Sequence, residues 1–325
     1  MKVGLYSITY LGAWYRGPAL SVEELIARAQ AYGYDGIEID GKRPHGNPLD
    51  LPKPRCAELR TKASDAGIEI YAVAANNDFS SPVPEYREAQ LLYVRELIRM
   101  TADLGVKTLR MFAAWPGLTM TPDGARYTKA RQVWRDAHLE HTAGEIWDWC
   151  REGLIESAGW AGEQGVTLAV QNHAPVTNSP ADMLRMIREI DSPHVKACFD
   201  APMAKRQGVD AAAMRQAARH VAGLQVLSHF GGEFERDADG VVRGFDRNPD
   251  MTLTPLDYYV EFAAGMREIG YDGYIGYELC HPLPIVDGRT VGIEFADRNA
   301  QLAAEYMRGI VEAAARVEVA SAHAG

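Results

Sequence analysis

Cysteine is scarce in these 325 residues. Cys56, Cys150, Cys198 and Cys280 are widely scattered and show no C-x-x-C spacing. Nothing in that pattern asks for an oxidising compartment, and Cys198 and Cys280, in or beside strand-like runs, read as buried free thiols. Positive charge is also short. The net charge is −10 and no Lys/Arg run is visible, whereas a nucleic-acid partner needs a basic face to neutralise phosphates. No apolar run approaches the length of a membrane span. The chain enters strand-like Lys2 to Tyr6 directly, without a charged start, an apolar segment and a cleavage site. A cytoplasmic protein with neither a nucleic-acid nor a membrane partner is expected. No G-x-G-x-x-G follows the first strand-like run, which weighs against a dinucleotide fold. Linkers and low-complexity segments are also missing.

What is present is a repeated junction: a helical stretch, a glycine, then a β-type run. It occurs at Gly33 before Ile37, Gly67 before Ile68, Gly105 before Val106, Gly165 before Val166 and Gly270 before Tyr274. Two junctions are nearly the same, Gly33-Tyr34-Asp35-Gly36 and Gly270-Tyr271-Asp272-Gly273. Glycine just past a helix end is the usual left-handed stop, and its repetition marks βα units around a parallel sheet. Strands are predicted near 2–8, 36–40, 68–75, 106–112, 166–173, 195–200, 224–230 and 273–279. Helices are predicted near 21–32, 54–66, 85–104, 144–164, 180–190, 209–220, 254–269 and 297–316, and Ser21 with Glu24 forms a capping-box signature. Eight alternating units over 1–325 predict one (β/α)8 TIM barrel rather than an open sheet. The βα loops near 113–143, 231–253 and 280–296 are long enough to carry function. The first holds Trp115, Trp134, His138 and His141, and reads equally as a lid or as an excursion with its own small core.

Four cation-competent residues end successive strand runs: Gln171, Asp200, His229 and Glu278. A parallel barrel brings those ends to one face, where its active sites are built. Two carboxylates, an imidazole and an amide oxygen make a mostly hard donor set, suited to Mn2+ first, with Mg2+ and Co2+ as alternatives. Bland readings stand beside this. Asp200 before Ala201-Pro202 can be a helix N-cap, His229 a satisfied core histidine, and Gln171 a backbone bridge. Side chains alternate along a strand, so Gln171 and His173 share a face. Glu38, Arg110, Trp115 and His281 are placed as substrate-binding candidates near the mouth, with a structural ion pair an equal reading for Glu38.

The barrel pattern, the Gly-Tyr-Asp-Gly junctions and the strand-end set resemble the xylose isomerase-like superfamily of sugar isomerases and epimerases. In that resemblance Asp200, His229 and Glu278 match a metal-binding Asp, His and Glu, and Asn172-His173 matches a trailing pair. Gln171 stands where a metal-binding Glu is usual. A glutamine cannot take a proton, so a symmetric two-glutamate epimerisation is put in question and His173 becomes the expected base, with Glu278 as the second catalytic group. The Gln-Asn-His run, the aromatic loop and Cys280-His281-Pro282 are similar to the large subunit of 3-oxo-glucoside C-glycoside deglycosidases. That similarity implies a metal-dependent lyase on a sugar or glycoside, a small β-type partner subunit and an oligomer. The alternative is a metal-dependent ketose or sugar-phosphate epimerase or isomerase working through an enediolate.

Overall fold

The computed structural model describes residues 1–121, 124–248 and 250–322. Eight parallel strands close into a barrel: β1 Lys2–Tyr6, β2 Gly36–Asp40, β3 Glu69–Ala74, β4 Thr108–Met111, β5 Thr167–Gln171, β6 Val195–Cys198, β7 Gln225–Gly231 and β8 Tyr274–Glu278. Each pairs with its neighbours in sequence, and β8 closes on β1 through Lys2↔Tyr274 to Leu5↔Tyr277. The predicted units are all present, with strands a few residues shorter than expected at their ends. Helices follow each strand, among them Val22–Ala31, Lys53–Asp65, Pro84–Asp103, Ala143–Gln164 and Ile293–Ala322. The Ser21 capping box is formed in both directions: Glu24 N donates to Ser21 Oγ and Ser21 N donates to the Glu24 carboxylate. Gly33 (φ +77°) and Gly270 (φ +73°) make the left-handed turn required at the two matching junctions.

One alternation accounts for the two sides of the sheet. Ile37, Ile39, Leu168, Val170, Val195, Ala197, Ile275 and Tyr277 face the helices and join the main hydrophobic core. Ala169, Cys198, Leu227 and Tyr274 face the barrel axis with Tyr71 and form a small separate cluster. Tyr71 and Tyr274 stack at 4.0 Å between ring centroids. Glycine makes room for that plug: a Cβ on Gly4 would lie 2.4 Å from the Tyr71 ring, and one on Gly276 would lie 2.5 Å from its hydroxyl. The next inward positions toward the C-terminal end are polar: Glu38, Arg110, Gln171 and His229, with Asp200 just past β6. An apolar layer therefore seals one end of the barrel beneath a charged layer.

The long loops carry structure that the sequence reading left undefined. After β4 come a hairpin (Thr119–Thr121 with Gly124–Arg126) and the helix Tyr127–Ala137. After β7 comes a three-stranded antiparallel sheet, Glu233–Arg236, Val242–Arg247 and Leu253–Pro255, and after β8 a short hairpin. The β4 loop has its own anchoring: His138 contacts the Ser80 carbonyl at 2.7 Å and Trp134 Nε1 donates to Ser80 Oγ at 2.8 Å. His138 is thus a structural residue of that excursion. No helix among the described residues is long and apolar enough to cross a membrane.

Candidate active site

At the C-terminal end of the strands lies a cavity of about 460 Å3. Tyr6, Arg110, Gln171 and Glu278 form its floor, and Phe112, Trp115, Tyr127, Trp134 and His173 its walls. Asp200, His229 and Glu38 lie beneath, fully buried.

The buried layer is one continuous hydrogen-bonded network. Arg110 donates from Nε to Glu38 Oε1 (3.1 Å), from one terminal nitrogen to Gln171 Oε1 (2.8 Å) and from the other to the Tyr6 hydroxyl (2.7 Å). The second Glu38 oxygen lies 2.7 Å from His229 Nε2. His229 Nδ1 lies 3.3 Å from Asp200 Oδ2, to which Gln171 Nε2 also donates at 2.6 Å. The remaining Asp200 oxygen accepts from Met203 N at 2.9 Å, so this residue is also the N-cap of Ala201–Arg206. Asn172 pins Asp200 in place by exchanging hydrogen bonds with its backbone N–H (2.7 Å) and carbonyl (3.2 Å).

The electrostatics follow from burial and these pairings. Burial pushes Glu38 up, but His229 and Arg110 outweigh it and hold the carboxyl below its usual range. Burial pushes His229 toward neutrality, yet the charge of Glu38 and the bond to Asp200 hold its proton well above the ordinary histidine range. Asp200 is lowered, because His229 and the Met203 N–H overcome desolvation. Glu278 is raised by burial and by the negative charge of Asp200.

The structure bears on four of the expected roles. Gln171 is not disposed as a ligand: Arg110 holds its oxygen, so its amide N–H, a donor, is the group that faces Asp200. Glu38 does not face sugar hydroxyls, since both of its oxygens are engaged beneath the floor. Arg110, an inward-facing arginine of β4, orients a carboxylate inside the barrel, that of Glu38, and also lies in the cavity floor. His281 turns away from the cavity and lies 3.0 Å from Glu233, which Arg247 also pairs. Trp115 stands in the cavity wall, stacked on Phe112 (5.1 Å) and edge-on to His173 (5.1 Å).

His173 lies past the end of β5, in a turn closed by its N–H on the Gln171 carbonyl (2.9 Å). Its Nδ1 sits 2.6 Å from the Ala174 carbonyl, which makes Nδ1 the protonated nitrogen and leaves Nε2 as an acceptor toward the cavity. Burial pushes its pKa down to about 4. An unfolded histidine takes its proton near pH 6.5, so between about 6.5 and 4 the unfolded chain binds more protons and stability falls as pH falls. The difference in stability between pH 7 and pH 5 is expected to shrink in His173→Asn, read from urea midpoints at the two pH values. An identical pH dependence in both proteins would contradict a neutral, desolvated His173.

A metal ion is testable against this geometry. Among the described residues no three His, Cys, Asp or Glu side chains converge as a ready ligand set. The donor chemistry nonetheless fits a hard divalent cation. His229 Nδ1 and Asp200 Oδ2 are separated by 3.3 Å, close to the ~3 Å expected of adjacent ligands with bonds of about 2.0–2.2 Å. Glu38 behind Nε2 is the carboxylate–imidazole backing that metal-binding histidines use. Glu278 adds a half-buried carboxylate in the cavity floor, whose repulsion by Asp200 a cation would relieve.

The sequence reading missed Tyr127, Arg131, Trp134 and Arg135 as a group. Their i, i+4, i+7, i+8 spacing places them on one helix face, and all four line the cavity. Arg206, also missed, reaches the cavity from the end of the short helix Ala201–Arg206 after β6.

Comparison with known proteins agrees with the architecture. A D-psicose 3-epimerase structure determined in the presence of D-fructose superposes with a TM-score of 0.69 at 18% identity, over 96% of this chain and 99% of that one. The D-psicose 3-epimerase of Clostridium cellulolyticum H10 gives 0.67 at 20% identity, over 96% and 99%. The 3-keto-D-glucoside 4-epimerase of E. coli gives 0.65 at 18% identity, over 95% and 99%. At these identities the likeness is one of fold. No curated protein matches the sequence. The family model described as xylose isomerase-like TIM barrel matches residues 26–318, and with the closed eight-stranded barrel this shows that the chain belongs to the xylose isomerase-like TIM-barrel family.

Proposed function

We propose that the protein is a sugar epimerase or isomerase that moves the proton beside a ketose carbonyl. The observation that carries this reading is that His173 and Glu278, two acid–base groups, line one cavity with aromatic walls. His173 Nε2 takes the proton from the carbon next to the carbonyl, giving an enediolate. Glu278 returns a proton to the same carbon from the other side, or to its neighbour. Gln171 cannot exchange a proton; its part is to hold Asp200. Asp200, His229 and Glu278 would hold a divalent cation, Mn2+ being the first choice, which when bound polarises the substrate oxygens and so acidifies the proton between them. The aromatic walls exclude water and cover the apolar face of a sugar ring. Structures of sugar 3- and 4-epimerases are the neighbours in fold, which supports this class of chemistry.

Expulsion of a β-leaving group from a 3-oxo-C-glycoside is the second reading. It is favoured by one observation, that an amide stands where a second carboxylate would be. The two separate in heavy water. With D-psicose, D-fructose or their phosphates as substrate, deuterium is expected at the carbon beside the carbonyl, and His173→Ala is expected to lower that exchange by about 10²–10⁴. Release of an aglycone from a 3-oxo-C-glycoside without exchange into any ketose would replace the epimerase reading with the lyase one.

A further inference from the structure

The cavity is charged against the trend of the molecule. The whole chain carries 34 Lys and Arg against 44 Asp and Glu. Among the described residues that line the cavity, Lys42, Arg110, Arg131, Arg135 and Arg206 face a single carboxylate, Glu278. Arg110 is spent on Glu38 in the floor, and Lys42 lies 3.5 Å from Asp40. The other three make no ion pair within 4.0 Å among the described residues. Cys280, Asp246 and Glu278 lie near enough to Arg206 to raise its pKa against burial, and Arg131 has only the Tyr127 ring beneath it, at 5.4 Å. Elsewhere on this surface arginines are commonly paired, as Arg28, Arg43, Arg55, Arg215, Arg219, Arg236 and Arg308 show. Arg131 and Arg135 stand one helical turn apart on Tyr127–Ala137, with Arg206 contributed by a different helix, Ala201–Arg206.

Unpaired guanidiniums from two separate elements, converging on one cavity of an acidic protein, are an arrangement for an anion. Guanidinium forks match phosphate and carboxylate oxygens in geometry as well as charge, and a cleft lined by one sign of charge concentrates the opposite one. We propose that the substrate is an anionic ketose, a sugar phosphate or a sugar acid, whose phosphate or carboxylate is gripped by Arg131, Arg135 and Arg206 while its carbonyl end lies against Glu278 and His173. This names the substrate class of the epimerase–isomerase reading and rests on it.

Calorimetric titration of the full chain with inorganic phosphate, D-fructose 6-phosphate, D-fructuronate and D-fructose tests it. One of the two anionic sugars is expected to bind about tenfold or more tightly than D-fructose, the difference worth a charge-assisted hydrogen bond or two, and the gap should narrow as salt screens the rim. Which of the two leads identifies phosphate or carboxylate as the anion. In the double variant Arg131→Gln, Arg135→Gln the ratio of anionic to neutral affinity is expected to fall about tenfold. Equal or tighter binding of D-fructose, or an unchanged ratio in the double variant, overturns the proposal. Deuterium exchange is read separately. Exchange into D-fructose with no anion preference removes the anion site alone, whereas an anion preference without exchange into any ketose removes the reaction and leaves the anion site standing.

Discussion

Arg110→Ala is expected to lower stability by about 3–5 kcal/mol, the cost of stranding one member of a buried ion pair. The guanidinium is 3% exposed and its partner Glu38 is completely buried. Its removal leaves a Glu38 oxygen, the Gln171 carbonyl and the Tyr6 hydroxyl without their shared donor, and opens a gap between Tyr6 and Phe112, over whose rings it lies at 5.1 and 4.7 Å. Turnover should fall with it, because an unclamped Gln171 amide can rotate and release Asp200. Lysine supplies charge but no fork, so Arg110→Lys is expected to recover part of the stability and little of the rate. Urea unfolding with an unchanged m-value is the measurement. A loss below about 1 kcal/mol in Arg110→Ala, the scale of an exposed pair, would show that the network is not the keystone of the charged layer.

The barrel was legible in the sequence because its signals are local. Glycine stops, a capping box and period-two strands each report on a few neighbouring residues, and they agree from Gly33 to Gly270. The strand-end residues were legible for the same reason: position along a strand decides which face and which end of the barrel a side chain reaches. What Glu38, Gln171 and His281 touch was not legible. Those partners lie across the barrel or in another loop, with Glu38 bonded to Arg110 and His229, 72 and 191 residues away. Asp200 takes up its helix-cap reading with one oxygen, while the other meets His229 and Gln171 from across the barrel. The cationic face of Tyr127–Ala137 was readable from spacing alone, yet only the fold shows that it overhangs the cavity.

Gln171→Glu makes the buried layer depend on a cation. In the present structure Asp200 accepts a hydrogen bond from the glutamine amide at 2.6 Å. A glutamate there replaces that donor with a second negative oxygen, and Arg110 can satisfy only the oxygen it already holds. Without metal the variant is expected to lose about 1–3 kcal/mol, the penalty for a buried polar group stripped of its partner, and Asp200 and the new carboxylate should repel one another's charge. With Mn2+ the same change supplies the acidic ligand that the amide cannot, so the variant should gain much more stability on adding Mn2+ than the parent does, by linkage of metal binding to the folded state. Melting curves of both proteins in chelator and across a Mn2+ series measure this directly. In the epimerase reading the restored carboxylate also gives a second proton acceptor, and deuterium exchange beside the ketose carbonyl should rise when Mn2+ is present. Equal Mn2+-induced stabilisation of parent and variant would mean that Gln171 does not withhold a ligand, and that Asp200, His229 and Glu278 take a cation, if at all, without help from this position.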